Sequence, residues 1–196
     1  MTLGLTPEQQ ALSDAVGQFA GRYAPVAATR DNFAALAEGQ LPKWWESLVA
    51  NGFHAVHLPE HLGGQGGKLL DAACVLESAA KALLPGPLLP TITAGAVGLL
   101  ADPSAAAESL VRDLASGVPA AVVLPDNGNF RACADGSQWL VTGKSEVTAG
   151  VCSARVVLVG ARTHDGGYVW VRVDTGAPTA KIESVQGSDL VTDVGI

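Results

Sequence analysis

The sequence predicts an α+β fold in which an all-helical N-terminal domain precedes a small antiparallel β-barrel or sandwich. Apolar residues recur at helical spacing in several separate segments between residues 7 and 115, and short β-rich runs separated by turn residues follow from residue 119. A glycine-rich connector at residues 58–67 (LPEHLGGQGG) joins two of the helical patterns. Helices first and strands second are typical of α+β proteins. We therefore predict domains at residues 1–118 and 119–196.

The first helix has a recognisable start. Thr6 is placed to be its N-cap, Pro7 occupies the first helical position, and Gln9 can reach back to complete a capping box. Apolar residues then recur at helical spacing to about Ala24, where Pro25 ends the pattern.

A second helix is predicted to begin near Pro42 and to end at Asn51 and Gly52. It carries Trp44 and Trp45, and neighbouring residues on a helix face different ways. We expect one indole in the core and the other facing a partner subunit or a missing domain.

The connector at residues 58–67 contains four glycines in five positions, which permit φ > 0 and close backbone approach, and Pro59 keeps the preceding residue extended. Residues 63–68 also suggest a phosphate-binding loop, but they lack the GxxxxGK[ST] order and do not follow a buried strand. We favour a structural turn.

Three further helices are predicted after the connector, over residues 69–84, 91–101 and 104–115. The first of them has a broad apolar surface and is expected to be central, with Cys74 in the core. Ser104 is the expected N-cap of the last.

The second half of the chain contains short β-rich runs separated by turn residues. Asp135 and Gly136, and also residues 165–167, are expected to form hairpin connections. The predicted strands are residues 120–124, 130–134, 138–142, 156–159, 168–173 and 180–184.

Composition excludes several classes of function. The chain has 196 residues, 48% of them hydrophobic, and a net charge of −7 without a Lys/Arg cluster, so it repels nucleic acid and anionic lipid. The absence of a basic, apolar leader and of a bilayer-length apolar stretch predicts a cytoplasmic protein. Three widely spaced cysteines indicate buried free thiols and neither a disulfide framework nor a metal site.

His54, His57 and His61 are spaced by three and four residues, as ligands on one helix face would be. Residues 53–58 read as extended or turn-like, however, and no carboxylate or cysteine at suitable spacing completes a site. We interpret these histidines as half-buried polar residues. The chain has no GxSxG motif, which leaves Ser-His-Asp hydrolase chemistry without support.

Several motifs resemble those of the acyl-CoA dehydrogenase family. Residues 5–9 (LTPEQ) are similar to the family's opening, and residues 48–52 (LVANG), Pro59-Glu60 and residues 63–66 (GGQG) resemble its Leu-x-x-x-Gly and Pro-Glu-x-x-Gly-Gly-x-Gly signature. The resemblance continues through residues 114–117 (LASG), 141–145 (VTGKS), 175–178 (TGAP) and 186–189 (QGSD).

The resemblance implies a helical domain, a β domain and a C-terminal helical bundle, the last absent from these 196 residues. Family members oxidise the Cα–Cβ bond of an acyl-CoA thioester: a carboxylate base removes the α proton and FAD accepts the β hydride. Because the family's base lies on the C-terminal bundle, no catalytic residue is assigned here. We interpret the carboxylates of Glu60, Glu77 and Glu108 as solvent-facing charge.

The same resemblance places cofactor-binding positions at Val123, Leu124, Val147 and Thr148. Leu124 stands where the family has a hydroxyl, Pro125 where it has a glutamate, and Glu146 where it has an aromatic residue that covers the flavin. A carboxylate in place of an indole removes stacking area and adds negative charge. These departures predict that FAD binding belongs to the parent enzyme and is weak or absent in this lobe.

Three hypotheses follow. In the first, the chain is part of an acyl-CoA dehydrogenase that acts in fatty acid or steroid side-chain β-oxidation. In the second, it is a non-catalytic lobe that completes the substrate channel of a flavin-bearing partner, as in heteromeric or fused steroid-CoA members. The third is a binding module unrelated to thioesters. The first two predict acyl-CoA as substrate and a homo- or hetero-oligomer with a similar lobe, and an apolar face left without its bundle predicts self-association.

Overall fold

The computed structural model describes residues 4–25, 32, 35–36, 38–136, 138–186 and 192–195. Thr6 caps the first helix in a complete capping box with Gln9, and Ser104 caps the last by accepting a hydrogen bond from the Ala107 amide, both as predicted. The helices with described bounds are α1 (Pro7–Tyr23), α2 (Trp45–Ala50), α3 (Leu69–Lys81), α4 (Leu88–Leu100) and α5 (Ala105–Ala115).

Helix α2 is shorter than the sequence suggested, because the chain at Lys43 and Trp44 forms a turn and the helix begins only at Trp45. The expectation that one of the two indoles faces a partner is wrong for this structure. Trp44 and Trp45 are both buried in the same apolar cluster as Leu48 and Val75, and the Trp45 indole donates to the carbonyl of Gly117 at 3.0 Å.

The strands follow α5 in the order that the β-rich runs predicted. Their bounds are β1 (Ala120–Val123), β2 (Arg131–Asp135), β3 (Gln138–Thr142), β4 (Val156–Thr163), β5 (Tyr168–Asp174), β6 (Glu183–Gln186) and β7 (Thr192–Gly195). Strand β7, which pairs with β6, lies beyond the last run that the sequence analysis identified. The resemblance at residues 186–189 lies, apart from Gln186, outside the described residues.

The larger sheet is mixed and open, which differs from the antiparallel barrel or sandwich expected from the strand spacing. Strand β4 pairs in parallel with β1 and β2 along one edge and antiparallel with β5 along the other, while β3 pairs antiparallel with β2. The α+β class is nevertheless confirmed, because helices precede the sheet in the chain.

The two faces of this sheet have different surroundings. One face carries the core that includes Val123, Val157 and Val159. At one end of the opposite face, Val156 and Leu158 pack against buried residues of α4, α5 and the connector. Helical and sheet residues therefore share one core cluster, and the domain boundary near residue 118 stays a prediction.

Candidate functional site

The first pair of expected cofactor positions lies where β1 ends. Val123 is fully buried on the core face opposite Val159, and Leu124 follows in an extended conformation with its side chain 48% exposed. Pro125 then starts a 3-10 turn, and a Cβ at Gly160 would lie 2.7 Å from the Pro125 ring. The end of β1 therefore presents hydrocarbon to solvent.

The second pair lies between β3 and β4. Val147 is 46% exposed, whereas Thr148 is 6% exposed and its hydroxyl donates to the carbonyl of Glu146 at 3.1 Å. The side chain of Glu146 is exposed. At the end of this segment, Gly150 has φ +80° and packs against Pro90 of α4.

Backbone contacts hold these two segments side by side. Gly128 and Ser145 form an isolated antiparallel bridge. The Asn129 amide donates to the Lys144 carbonyl at 3.1 Å, and the Lys144 amide donates to the Asn129 side-chain oxygen at 2.8 Å. The fold thus brings the expected cofactor positions to one region, although they lie more than twenty residues apart in the chain.

The side chains in this region do not fit an isoalloxazine ring. Leu124 and Val147 offer neither donors nor acceptors, the Thr148 hydroxyl is buried and donates within its own loop, and Glu146 adds a negative charge. These side chains supply neither hydrogen-bond donors for the polar edge of a flavin nor the aromatic cover over its ring that the resemblance implies at residue 146. We therefore assign no step of a reaction to this region of the chain.

The glycine-rich connector is a closed structural turn. Its amides donate within the chain: Gly64 to the carbonyl of Pro59, Gln65 to Ala55, Gly66 to Leu58 and Gly67 to Val56. Because these donors are engaged, the segment has no row of free amides for a phosphate, and the structural interpretation is supported.

The turn also anchors the start of α3 to α1. Asp71 accepts hydrogen bonds from the Lys68 amide at 2.7 Å and from the Gln9 side chain at 3.0 Å. These two hydrogen bonds hold the pKa of Asp71 below its usual range.

Two of the three histidines are buried, more deeply than the sequence analysis expected. His54 is 2% exposed and its Nε2 lies 3.0 Å from the carbonyl oxygen of Ala115. His57 is 5% exposed, packs against Gly95, and has no well-formed hydrogen bond to a described residue at either ring nitrogen. Burial lowers the pKa of both rings, because it disfavours the charged imidazolium. Nearby backbone carbonyls, such as that of Ile92 beside His57, raise the pKa but only partly offset the effect of burial.

We expect the free energy of unfolding to decrease as the pH falls below about 6.5, the ordinary pKa of histidine. The lowered pKa of each folded-state ring means that the unfolded chain binds protons first, so acid favours unfolding. Urea denaturation at about pH 7.5 and about pH 5.5 measures the effect. The difference in the free energy of unfolding between the two pH values should be smaller in His57→Gln than in the wild type. It should be unchanged in His61→Gln, because His61 is exposed. An equal loss of stability at low pH in the wild type and both variants would contradict the assignment of this effect to the buried histidines.

The cysteines differ from one another in exposure. Cys74 is buried in α3 as expected, Cys152 is partly buried, and Cys133 is exposed on β2, so the prediction of buried thiols is wrong for Cys133. Within the described residues, no group of three or more His, Cys, Asp or Glu side chains is arranged to hold a metal ion. None of the described helices combines the length and apolar character that crossing a bilayer requires.

Comparison with known proteins places this architecture in a family. Residues 6–115 match the family model described as acyl-CoA dehydrogenase, N-terminal domain. Acyl-CoA dehydrogenase FadE34 of Mycobacterium tuberculosis is 31% identical over 97% of this chain and 26% of its own length. Acyl-CoA dehydrogenase IpdE2 of the same organism is 39% identical over 62% of this chain and 39% of its own length.

A solved structure shows the same fold across the whole chain. The crystal structure of the ChsE4-ChsE5 complex from Mycobacterium tuberculosis aligns with a TM-score of 0.82 at 22% identity, covering 100% of this chain and 54% of that one. The chain thus spans between about a quarter and about half of the proteins that it matches. The family model covers more than half of its residues, and the chain therefore belongs to the acyl-CoA dehydrogenase family.

Proposed function

We propose that this chain supplies the helical and sheet-bearing lobe of an acyl-CoA dehydrogenase. The complete enzyme or complex oxidises the Cα–Cβ bond of an acyl-CoA thioester and passes the hydride to FAD, in fatty acid or steroid side-chain β-oxidation. Family membership over residues 6–115 and the acyl-CoA dehydrogenase names of both relatives support this function. No residue of this lobe is proposed as the catalytic base.

Within that enzyme, we favour a non-catalytic role for the lobe. The observation that carries this proposal is the surface formed by Leu124, Pro125 and Glu146: exposed hydrocarbon, a ring without an amide proton, and an exposed carboxylate. In a catalytic lobe, the loss of one hydrogen-bond donor that stabilises developing charge raises the reaction barrier by about 3 kcal/mol. A lobe that serves only as a scaffold loses nothing when such a donor is absent. The lobe would then complete the substrate channel of a partner that carries the flavin.

A partner of the same family suits this role. The ChsE4-ChsE5 structure, which has the same fold, is described as a complex. We accordingly propose that this chain assembles with another acyl-CoA dehydrogenase-like lobe.

Restoring the family's residues should restore flavin affinity. We expect Leu124→Thr combined with Glu146→Trp to tighten FAD binding by about tenfold or more, since a new hydroxyl and a stacked indole each contribute roughly 0.5–1.5 kcal/mol. Quenching of FAD fluorescence during titration with protein measures the affinity.

The matched control makes the same substitutions at exposed positions of the helical half, Leu100→Thr with Glu46→Trp, and should leave affinity unchanged. Tight, stoichiometric FAD binding by the unmodified chain, unaffected by the double substitution, would overturn the non-catalytic role.

A further inference from the structure

Strand β3 forms an outer edge of the larger sheet. It pairs antiparallel with β2 on one side, and none of the described strands lies on its other side. An unpaired edge presents a row of backbone N–H and C=O groups that can pair with a strand of another chain. The outer edge of β3 is therefore open to strand pairing.

The hairpin register shows which backbone groups of β3 point outwards. Asp135 pairs with Gln138 with two residues between them, and the pair that closes a two-residue hairpin loop is hydrogen-bonded. Hydrogen-bonded and non-hydrogen-bonded pairs alternate along an antiparallel ladder, so Leu140 is also hydrogen-bonded to β2. The amides and carbonyls of Trp139 and Val141 are consequently directed away from β2.

This edge lacks the features that usually prevent edge-to-edge pairing, namely charged side chains, proline and bulges. Residues 138–142 (QWLVT) contain neither a charge nor a proline, and their register with β2 is continuous. Trp139 is 43% exposed and Leu140 is 61% exposed, on opposite faces of the hairpin. Strand β5, by contrast, carries Arg172, which forms an ion pair with Asp113 of α5.

We propose that two copies of this chain pair antiparallel through β3, about a two-fold axis at Leu140. In that register, Trp139 of each copy lies opposite Val141 of the other, so the backbone groups that point outwards are the ones that meet. An aromatic residue opposite a β-branched residue is a favourable cross-strand pair. The two larger sheets thereby become one continuous sheet.

The distribution of charge favours a second copy as the occupant of this edge. The chain has a net charge of −7, so two copies repel each other over most of their surfaces. Strand β3 carries no charge, and the two-fold axis aligns the row that contains Asp135 with the row that contains Arg131 of the other copy. Contact at β3 therefore brings unlike charges, and not like charges, into the same rows.

The size of the contact predicts a weak dimer. Strand β3 has five residues. A strand of this length extends about 17 Å, so one strand pair buries less than the roughly 1,200 Å² of a stable interface. Association should therefore depend on concentration, and the chain at about 1 µM should be monomeric. The inference rests on the topology of the sheet and not on the proposed function.

Sedimentation velocity of the full chain, from about 1 µM to about 500 µM, tests the proposal. We expect the mass to rise from that of one chain towards that of two chains and to stop there, because a two-fold contact is closed. A monomer at every concentration would overturn the proposal, and so would open-ended growth into larger species.

Matched variants locate the contact. Leu140→Lys should weaken association by about tenfold or more, because it places two ammonium groups opposite each other at the axis. Leu100→Lys, the same change at a leucine of α4 that is 85% exposed, should leave association unchanged. Mixing Leu140→Lys with Leu140→Glu should restore association, because opposite charges then face each other across the axis.

Equal weakening by Leu100→Lys would contradict a contact at β3, and a mixture of Leu140→Lys and Leu140→Glu that stays monomeric would contradict the two-fold register. The circular dichroism melting curve of each variant at about 1 µM should match that of the wild type, because both leucines are exposed. These measurements involve no turnover, so failure of this proposal is distinguishable from failure of the dehydrogenase function.

Discussion

Replacing Gly64 with alanine is expected to lower the free energy of unfolding by about 3 kcal/mol or more. A Cβ at this position would lie 2.1 Å from the carbonyl oxygen of Leu58 and 2.5 Å from its Cβ. Leu58 has no space into which to move, because its side chain is 1% exposed in the core. Its carbonyl oxygen is also held by a hydrogen bond from the Gly66 amide at 2.8 Å. Urea denaturation followed by far-UV circular dichroism measures the loss.

Gly21→Ala is the matched control. Gly21 lies in α1, and apart from the backbone of its own helix and its chain neighbours, no described heavy atom lies within 4 Å of an added Cβ. Alanine there should raise the free energy of unfolding by about 0.5–1 kcal/mol, because it restricts the unfolded chain and favours helix. A Gly64→Ala protein as stable as the wild type would show that the turn is looser than the structure indicates.

Leu158→Ala is expected to cost about 3 kcal/mol and to weaken the helical half and the sheet together. Leu158 is 2% exposed and lies in the cluster that also contains Leu58, Leu110 and Leu114. Removing its side chain leaves a cavity between the helices and β4. Denaturation followed in parallel by circular dichroism and tryptophan fluorescence should give one shared transition at a lower urea concentration.

Leu140→Ala provides the comparison, since Leu140 belongs to the same sheet but is 61% exposed. Its effect should remain within about 0.5 kcal/mol. Equal costs for the two leucine substitutions would contradict the shared core. Two separate transitions would instead show that residues 1–118 and 119–196 unfold as independent domains.

Local signals explain why most of the helices and strands could be predicted. The capping box of Thr6 and Gln9 and the cap at Ser104 involve residues within three positions of one another, so the sequence contains both partners. Helix α2 was misplaced because Trp44 continues the apolar pattern of the helix while lying outside it. Periodicity alone does not distinguish a buried turn from a helical turn.

Long-range strand pairing accounts for the remaining differences between the predicted and the observed fold. The parallel partnership of β4 with β1 and β2 joins residues more than thirty positions apart, and strand runs contain no information about their neighbours. The exposure of Cys133 follows from its place on β2, whose hairpin with β3 is largely exposed. The expected cofactor positions could be named by resemblance, but the Gly128–Ser145 bridge that brings them together could not.

The visible absorption spectrum of the purified chain, incubated with excess FAD and then desalted, tests the central claim most directly. We expect no stoichiometric flavin band, because the side chains exposed at Leu124, Glu146 and Val147 supply neither hydrogen-bond donors nor the aromatic cover that the family resemblance implies. One bound flavin per chain would contradict the proposal that this acyl-CoA dehydrogenase lobe serves as a scaffold for a partner's chemistry.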